Sequence, residues 1–160
     1  MNESDLLLKK IRRLLVFFIV CLVLSGVTAF PIETELRFAN EHFTFLPNVI
    51  REWLATVYAA VKTTNENYPY LSYGCDWLAF AHIVIAIAFI GPYRDPVKNI
   101  WVIEFGMIAC VLILPLAFIA GPIRSIPLYW QLIDCSFGII GIIPLMWCRN
   151  LIKRLELRGK

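Results

Sequence analysis

The sequence has little charge and no signature of metal or nucleotide binding. Only 17% of its 160 residues are charged, and it contains only two histidines. No CxxC pair occurs, which excludes zinc ribbons, thioredoxin-like redox pairs and the usual iron–sulfur spacings. The sequence also lacks a Gly-rich phosphate loop, a HExxH helix and any motif typical of RNA or DNA binding. We therefore expect no metal, no cofactor and no nucleic-acid partner.

Apolar residues are present in excess and make up 59% of the chain. A small water-soluble domain of this composition would be hard to keep in solution. The excess lies in four stretches, at about 14–30, 75–91, 99–120 and 128–147. Each is close to the roughly 20 residues that a helix needs to cross a hydrocarbon core. The sequence predicts an all-α membrane protein, with residues 1–160 forming one integral membrane domain, a four-helix transmembrane bundle.

The basic residues are distributed unevenly over the segments that connect these spans. Eleven precede the first span, join the second to the third, or follow the fourth: Lys9, Lys10, Arg12, Arg13, Arg94, Lys98, Arg149, Lys153, Arg154, Arg158 and Lys160. The other two connections hold four: Arg37, Arg51, Lys62 and Arg124. The positive-inside rule therefore places both termini in the cytoplasm and residues 31–74 and 121–127 outside, in a bacterial-type inner (plasma) membrane. The lipid bilayer is the first expected partner.

The start of the chain allows a second interpretation. Basic residues, an apolar run and the small residues Val27-Thr28-Ala29 also resemble a secretory signal with a cleavage site. Cleavage there would leave the orientation of the remaining spans unchanged.

The long outer connection contains an amphipathic pattern. Apolar residues recur at spacings of three and four: Leu46, Val49, Ile50, Trp53, Leu54, Val57, Tyr58 and Val61. This pattern predicts an interfacial helix at about 47–64, and a weaker pattern predicts a shorter helix at 33–42. The apolar stripe would pack on the protein's own spans or, alternatively, bind lipid or a partner.

Four ionisable residues lie within the predicted spans: Asp76, His82, Glu104 and Asp134. Such groups are costly in a bilayer and suggest a functional role. Small and polar residues follow one face of span two around His82 and one face of span four around Asp134, and we expect these two faces to meet. The resulting contact between His82 and Asp134 would fix the register of the helices or carry chemistry. For Glu104 we expect a salt bridge to Arg13, Arg94, Lys98 or Arg149. The alternative is that Glu104 is a transport or catalytic carboxylate.

No catalytic signature singles out a reaction. The sequence favours an accessory or assembly subunit that works with a membrane-protein partner or as a homo-oligomer. The alternative is a small membrane enzyme or an oligomeric transporter. It would act on a lipid, a quinone-like molecule or an ion through His82 and Asp134.

Overall fold

The computed structural model describes residues 3–158, whose regular secondary structure is entirely helical. The helices are α1 (Glu3–Ala29), α2 (Ile32–His42), α3 (Asn48–Asn67), α4 (Pro69–Ala88), α5 (Ile90–Arg94), α6 (Ile100–Ile123) and α7 (Leu128–Arg158). Within the described residues, four segments are long and apolar enough to cross a membrane: α1, α4 with α5, α6, and α7. The predicted helical class and the four candidate spans are confirmed, and they indicate a multi-pass membrane protein.

The spanning helices extend beyond the apolar stretches. Helix α1 begins at Glu3 rather than near residue 14, and α7 continues to Arg158 rather than ending near residue 147. The flanking residues are rich in Leu, Lys, Arg and Glu, which form helices readily although the charged ones do not suit lipid. Apolar composition therefore marks the part of a helix that suits a membrane, not its ends.

A short interruption separates α4 from α5 at Phe89. Pro92 has no N–H group and cannot donate to the carbonyl of residue 88, so the α-helical ladder breaks there. The chain continues in α5 because a proline is tolerated in the first turn of a helix, whose N–H groups have no partner within the helix.

The chain divides into two compact units. The terminal unit contains the described residues up to 20 together with those from 87 onward, and the central unit contains residues 21–86. In the terminal unit, the fully buried side chains include Ile11, Leu15, Phe89, Ile103, Leu145, Cys148 and Ile152. In lipid, such a core is stabilised by close packing, because lipid tails are as apolar as the side chains.

At one end of the terminal unit, the first and last described residues lie together. Nη1 of Arg158 lies 2.5 Å from Oε2 of Glu3, so the last turn of α7 adjoins the first turn of α1. Nearby in the sequence, Arg12 donates from Nε to the carbonyl oxygen of Tyr93 at 3.3 Å. An even number of spans returns the chain to the side on which it started, and the contact between Glu3 and Arg158 agrees with that.

In the central unit, α2 and α3 form a helical hairpin. Asn40 of α2 donates from Nδ2 to the carbonyl oxygen of Leu54 in α3, at 3.4 Å. Apart from Val49, which is exposed, the predicted apolar stripe of α3 is half-buried. The predicted segment is helical, at Asn48–Asn67 rather than about 47–64, and the shorter helix expected at 33–42 is α2. The amphipathic character of α3 and its position at a membrane interface remain predictions.

Candidate functional site

Asp134 lines a cavity formed by α6, α7 and the turn between them. The cavity has a volume of 280 Å³. Its wall consists of Ile113, Leu116, Ala117, Ala120, Gly121, Arg124, Ile126, Gln131 and Asp134. Arg124, Gln131 and Asp134 all line this one cavity.

Gln131 holds the α6–α7 turn closed at one end of this cavity. Only 4% of Gln131 is exposed, and its Nε2 donates to the carbonyl oxygen of Ile126 at 2.7 Å. Gly121 makes room for this side chain, because a Cβ there would lie 2.5 Å from Cδ of Gln131. The buried amide therefore has a partner, as a buried polar group requires.

The Asp134 cavity combines an apolar wall with a few polar side chains. Most of its wall is apolar, and Asp134 and Arg124 provide groups of opposite charge. Such a wall can bind the polar end of a molecule whose body is apolar. At 280 Å³, the cavity lies below the roughly 300–1,000 Å³ of ordinary ligand sites, so it fits a headgroup or a single ring.

Asp76 lines a second cavity, of 230 Å³, within the central unit. Glu33 of α2 and Ser72 of α4 contribute to the same wall. Asn65 of α3 donates from Nδ2 to Oε2 of Glu33 at 2.5 Å, and Ser72 donates from Oγ to Oδ1 of Asn65. This chain of hydrogen bonds joins α2, α3 and α4. Glu33, Asn65 and Ser72 were missed by sequence reasoning, because no spacing in the sequence relates them.

His82 lies on α4 in the central unit. A carbonyl oxygen can only accept, so Nδ1 of His82 donates to the carbonyl oxygen of Leu78 at 2.8 Å. In the neutral ring, the lone pair is then on Nε2, which can accept a proton or a hydrogen bond. Asp134 belongs to the other compact unit, so its pairing with His82 stays a prediction.

The small-residue faces of spans two and four each adjoin another helix of their own unit. On α4, Ala79 and His82 adjoin Gly26 of α1, where a Cβ would lie 2.7 Å from the carbonyl oxygen of Ala79. On α7, a Cβ at Gly138 would lie 2.5 Å from the carbonyl oxygen of Cys110 in α6. The expectation that the two faces pack on each other stays a prediction, because the faces belong to different compact units. Within its own unit, each face meets a neighbouring helix at a glycine, which allows tight backbone approach.

Glu104 forms the salt bridge that was expected of it. Its Oε1 accepts from Nε of Arg149 at 2.8 Å, which joins the start of α6 to the latter part of α7. Both side chains are partly exposed. We interpret the pair as a structural contact between the two helices.

Within residues 3–158, no three His, Cys, Asp or Glu side chains are grouped so that they could hold a metal ion. All five cysteines are free.

The comparisons with known proteins found no match: no family model, no curated protein and no solved structure resembles the chain significantly.

Proposed function

We propose that this protein is an accessory or assembly subunit that acts through a partner in a bacterial-type inner membrane, with both termini in the cytoplasm. The partner is another membrane protein or a second copy of the chain. The observation that carries this proposal is an exposed row of aromatic side chains on α4.

This aromatic face of α4 consists of Tyr70, Tyr73, Trp77 and Phe80, which are 70%, 59%, 57% and 51% exposed. Their spacing of three and four residues puts them on one side of the helix. The rings also contact one another, with centroids 6.0 Å apart for Tyr73 and Trp77 and 5.8 Å apart for Trp77 and Phe80. The face is therefore continuous over several turns.

The opposite side of α4 packs against another helix of the central unit. Ala79 is fully buried, and its backbone lies against Gly26 of α1. At 3.6 residues per turn, Ala79 points roughly 140° away from the mean direction of the aromatic face. Helix α4 thus packs through its small residues and presents its large aromatic residues outward.

Aromatic side chains of this kind favour a protein partner. Tyr and Trp are enriched among the residues that carry most of the binding energy in protein interfaces. Trp77 and the tyrosines also suit the interfacial belt of aromatic residues at a membrane surface. Phe80, however, lies about 15 Å along the helix from Tyr70, so the row extends deeper into the predicted span than an interfacial belt would. The row supports a docking surface for a second helix.

The proposal predicts that the full-length protein, purified in mild detergent from its native membranes, carries a stoichiometric partner. Mass analysis would identify that partner as a different protein or a second copy. The double change Tyr73→Ala with Trp77→Ala should weaken the complex at least tenfold, because truncating an interface aromatic costs on the order of 2 kcal/mol.

The matched control is Trp101→Ala with Trp147→Ala, which removes two other exposed aromatic residues of the spans. This variant should keep the partner. Loss of the partner from both double variants would mean that the aromatic residues act only as membrane anchors. A protein that stays monomeric and alone in every preparation would contradict the proposal.

The Asp134 cavity supports one alternative function, a small enzyme or transporter that acts on a lipid, a quinone-like molecule or an ion. In this alternative, His82 and Asp134 serve as acid and base or relay a proton or cation. The protein would then be stable alone and would purify with an amphiphile that Asp134→Asn releases. Stoichiometric partner binding without such a ligand favours the subunit instead.

A further inference from the structure

We propose that a basic groove beside the first turns of α1 binds the headgroup of an anionic phospholipid from the leaflet at that end of the helix. The groove has a volume of 540 Å³ and is lined by Lys9, Arg12, Arg13, Val16, Phe17 and Tyr93. It lies within the terminal unit. The site is independent of the proposed partner function.

The residues of the groove follow the order of the parts of a phospholipid. Lys9, Arg12, Arg13 and Val16 are spaced as i, i+3, i+4 and i+7, which places them on one face of α1. Phe17 lies about 6 Å further along the helix than Arg13. The cations therefore come first and the apolar side chains follow toward the middle of the predicted span, as a headgroup is followed by its acyl chains.

Arg12 is held in position by Tyr93. Its Nε donates to the carbonyl oxygen of Tyr93 at 3.3 Å, and its guanidinium carbon lies 5.5 Å from the centre of the Tyr93 ring. Only one of the five guanidinium N–H donors is used in that hydrogen bond, so others can reach phosphate oxygens. A guanidinium that is already oriented loses less conformational entropy when a ligand binds, and its planar shape suits bidentate phosphate contacts.

The positive charges that line the groove favour an anionic ligand. The six lining residues include three cations and no carboxylate. Basic pockets of this kind, at the edge of a membrane span, attract anionic headgroups. The exposed apolar side chains of Val16 and Phe17 extend the groove and make a whole lipid a better fit than free phosphate.

The test is a binding titration of the delipidated full-length protein, followed by native mass spectrometry. The probes are dioleoyl phosphatidylglycerol, dioleoyl phosphatidylcholine and glycerol phosphate. We expect phosphatidylglycerol to bind about tenfold or more tightly than either of the others. Arg12→Gln with Arg13→Gln should lower its affinity on the order of 20-fold, or about fivefold for each cation near a membrane surface.

The control variant, Lys153→Gln with Arg154→Gln, removes the same charge from exposed positions on α7 and should change the affinity less than about twofold. Because Arg12 also contacts Tyr93, the single change Arg13→Gln provides a milder variant at an exposed position, and it should still cost about fivefold. Equal losses in the two double variants would overturn the proposal, as would equal affinity for the two lipids. Glycerol phosphate binding as tightly as the whole lipid would also overturn it.

Discussion

At the scale of single residues, glycines set how closely the helices approach. The close contacts at Gly26, Gly121 and Gly138 all leave no room for a Cβ. In lipid, helix association depends on such close packing, because there is no hydrophobic gain from leaving the solvent. These positions are thus more important for the fold than their size suggests.

Gly138→Ala should destabilise the protein by about 1–3 kcal/mol, as overpacked cores do. The new methyl group would meet the Cys110 carbonyl oxygen at 2.5 Å, and backbone cannot move aside as a flexible side chain can. Gly74→Ala in α4 is the matched control, since nothing lies within 4 Å of a Cβ there. Thermal unfolding in detergent should show a lower Tm for the first variant and an unchanged or higher Tm for the second. Equal shifts would show that the close approach of α6 and α7 is not tight.

The sequence predicted the contact of a polar residue only where placing that residue in a span would cost free energy. A carboxylate in a span needs compensation, so the sequence indicated a salt bridge for Glu104, and Arg149 provides it. The chain from Glu33 through Asn65 to Ser72 was not predicted. Its members lie in segments where polar residues are inexpensive, so nothing in the sequence marks them out.

At the scale of elements, apolar periodicity located the helices but not their partners. The stripe of α3 was visible because a half-buried helix repeats its apolar residues every three or four positions. The stripe does not specify which element packs on it. A face of small residues does not specify its packing partner either, because any slender helix fits against it. Gly26 of α1, in a stretch read simply as apolar, is such a neighbour for Ala79.

The hairpin of α2 and α3 predicts unequal tolerance to charge on the two sides of α3. Val57→Asp puts a carboxylate into the half-buried stripe and should cost about 1–3 kcal/mol through loss of solvation. Thr56→Asp alters an exposed neighbour and should stay within about 0.5 kcal/mol. The measurement is the rate at which a protease cleaves within residues 43–68 of each purified variant, and we expect faster cleavage in the Val57→Asp variant. Equal cleavage rates would indicate that the stripe does not pack.

At the scale of the whole molecule, composition was the most informative property. An apolar fraction of 59% and stretches of near-span length were sufficient to predict four helices suited to a membrane. The uneven distribution of Lys and Arg predicts the side of the membrane on which each helix begins. The contact between Glu3 and Arg158 agrees with an even number of spans but does not say which side of a membrane they occupy.

Site-specific labelling of single cysteines tests the four-span topology most directly. Thr63→Cys and Lys153→Cys, each in a background with the five native cysteines replaced, place a probe at exposed positions of α3 and α7. A membrane-impermeant maleimide should label Thr63→Cys in intact cells and Lys153→Cys only after the membrane is permeabilised, because the positive-inside rule puts residue 153 in the cytoplasm. Labelling of both positions in intact cells, or of Lys153→Cys alone, would contradict the account.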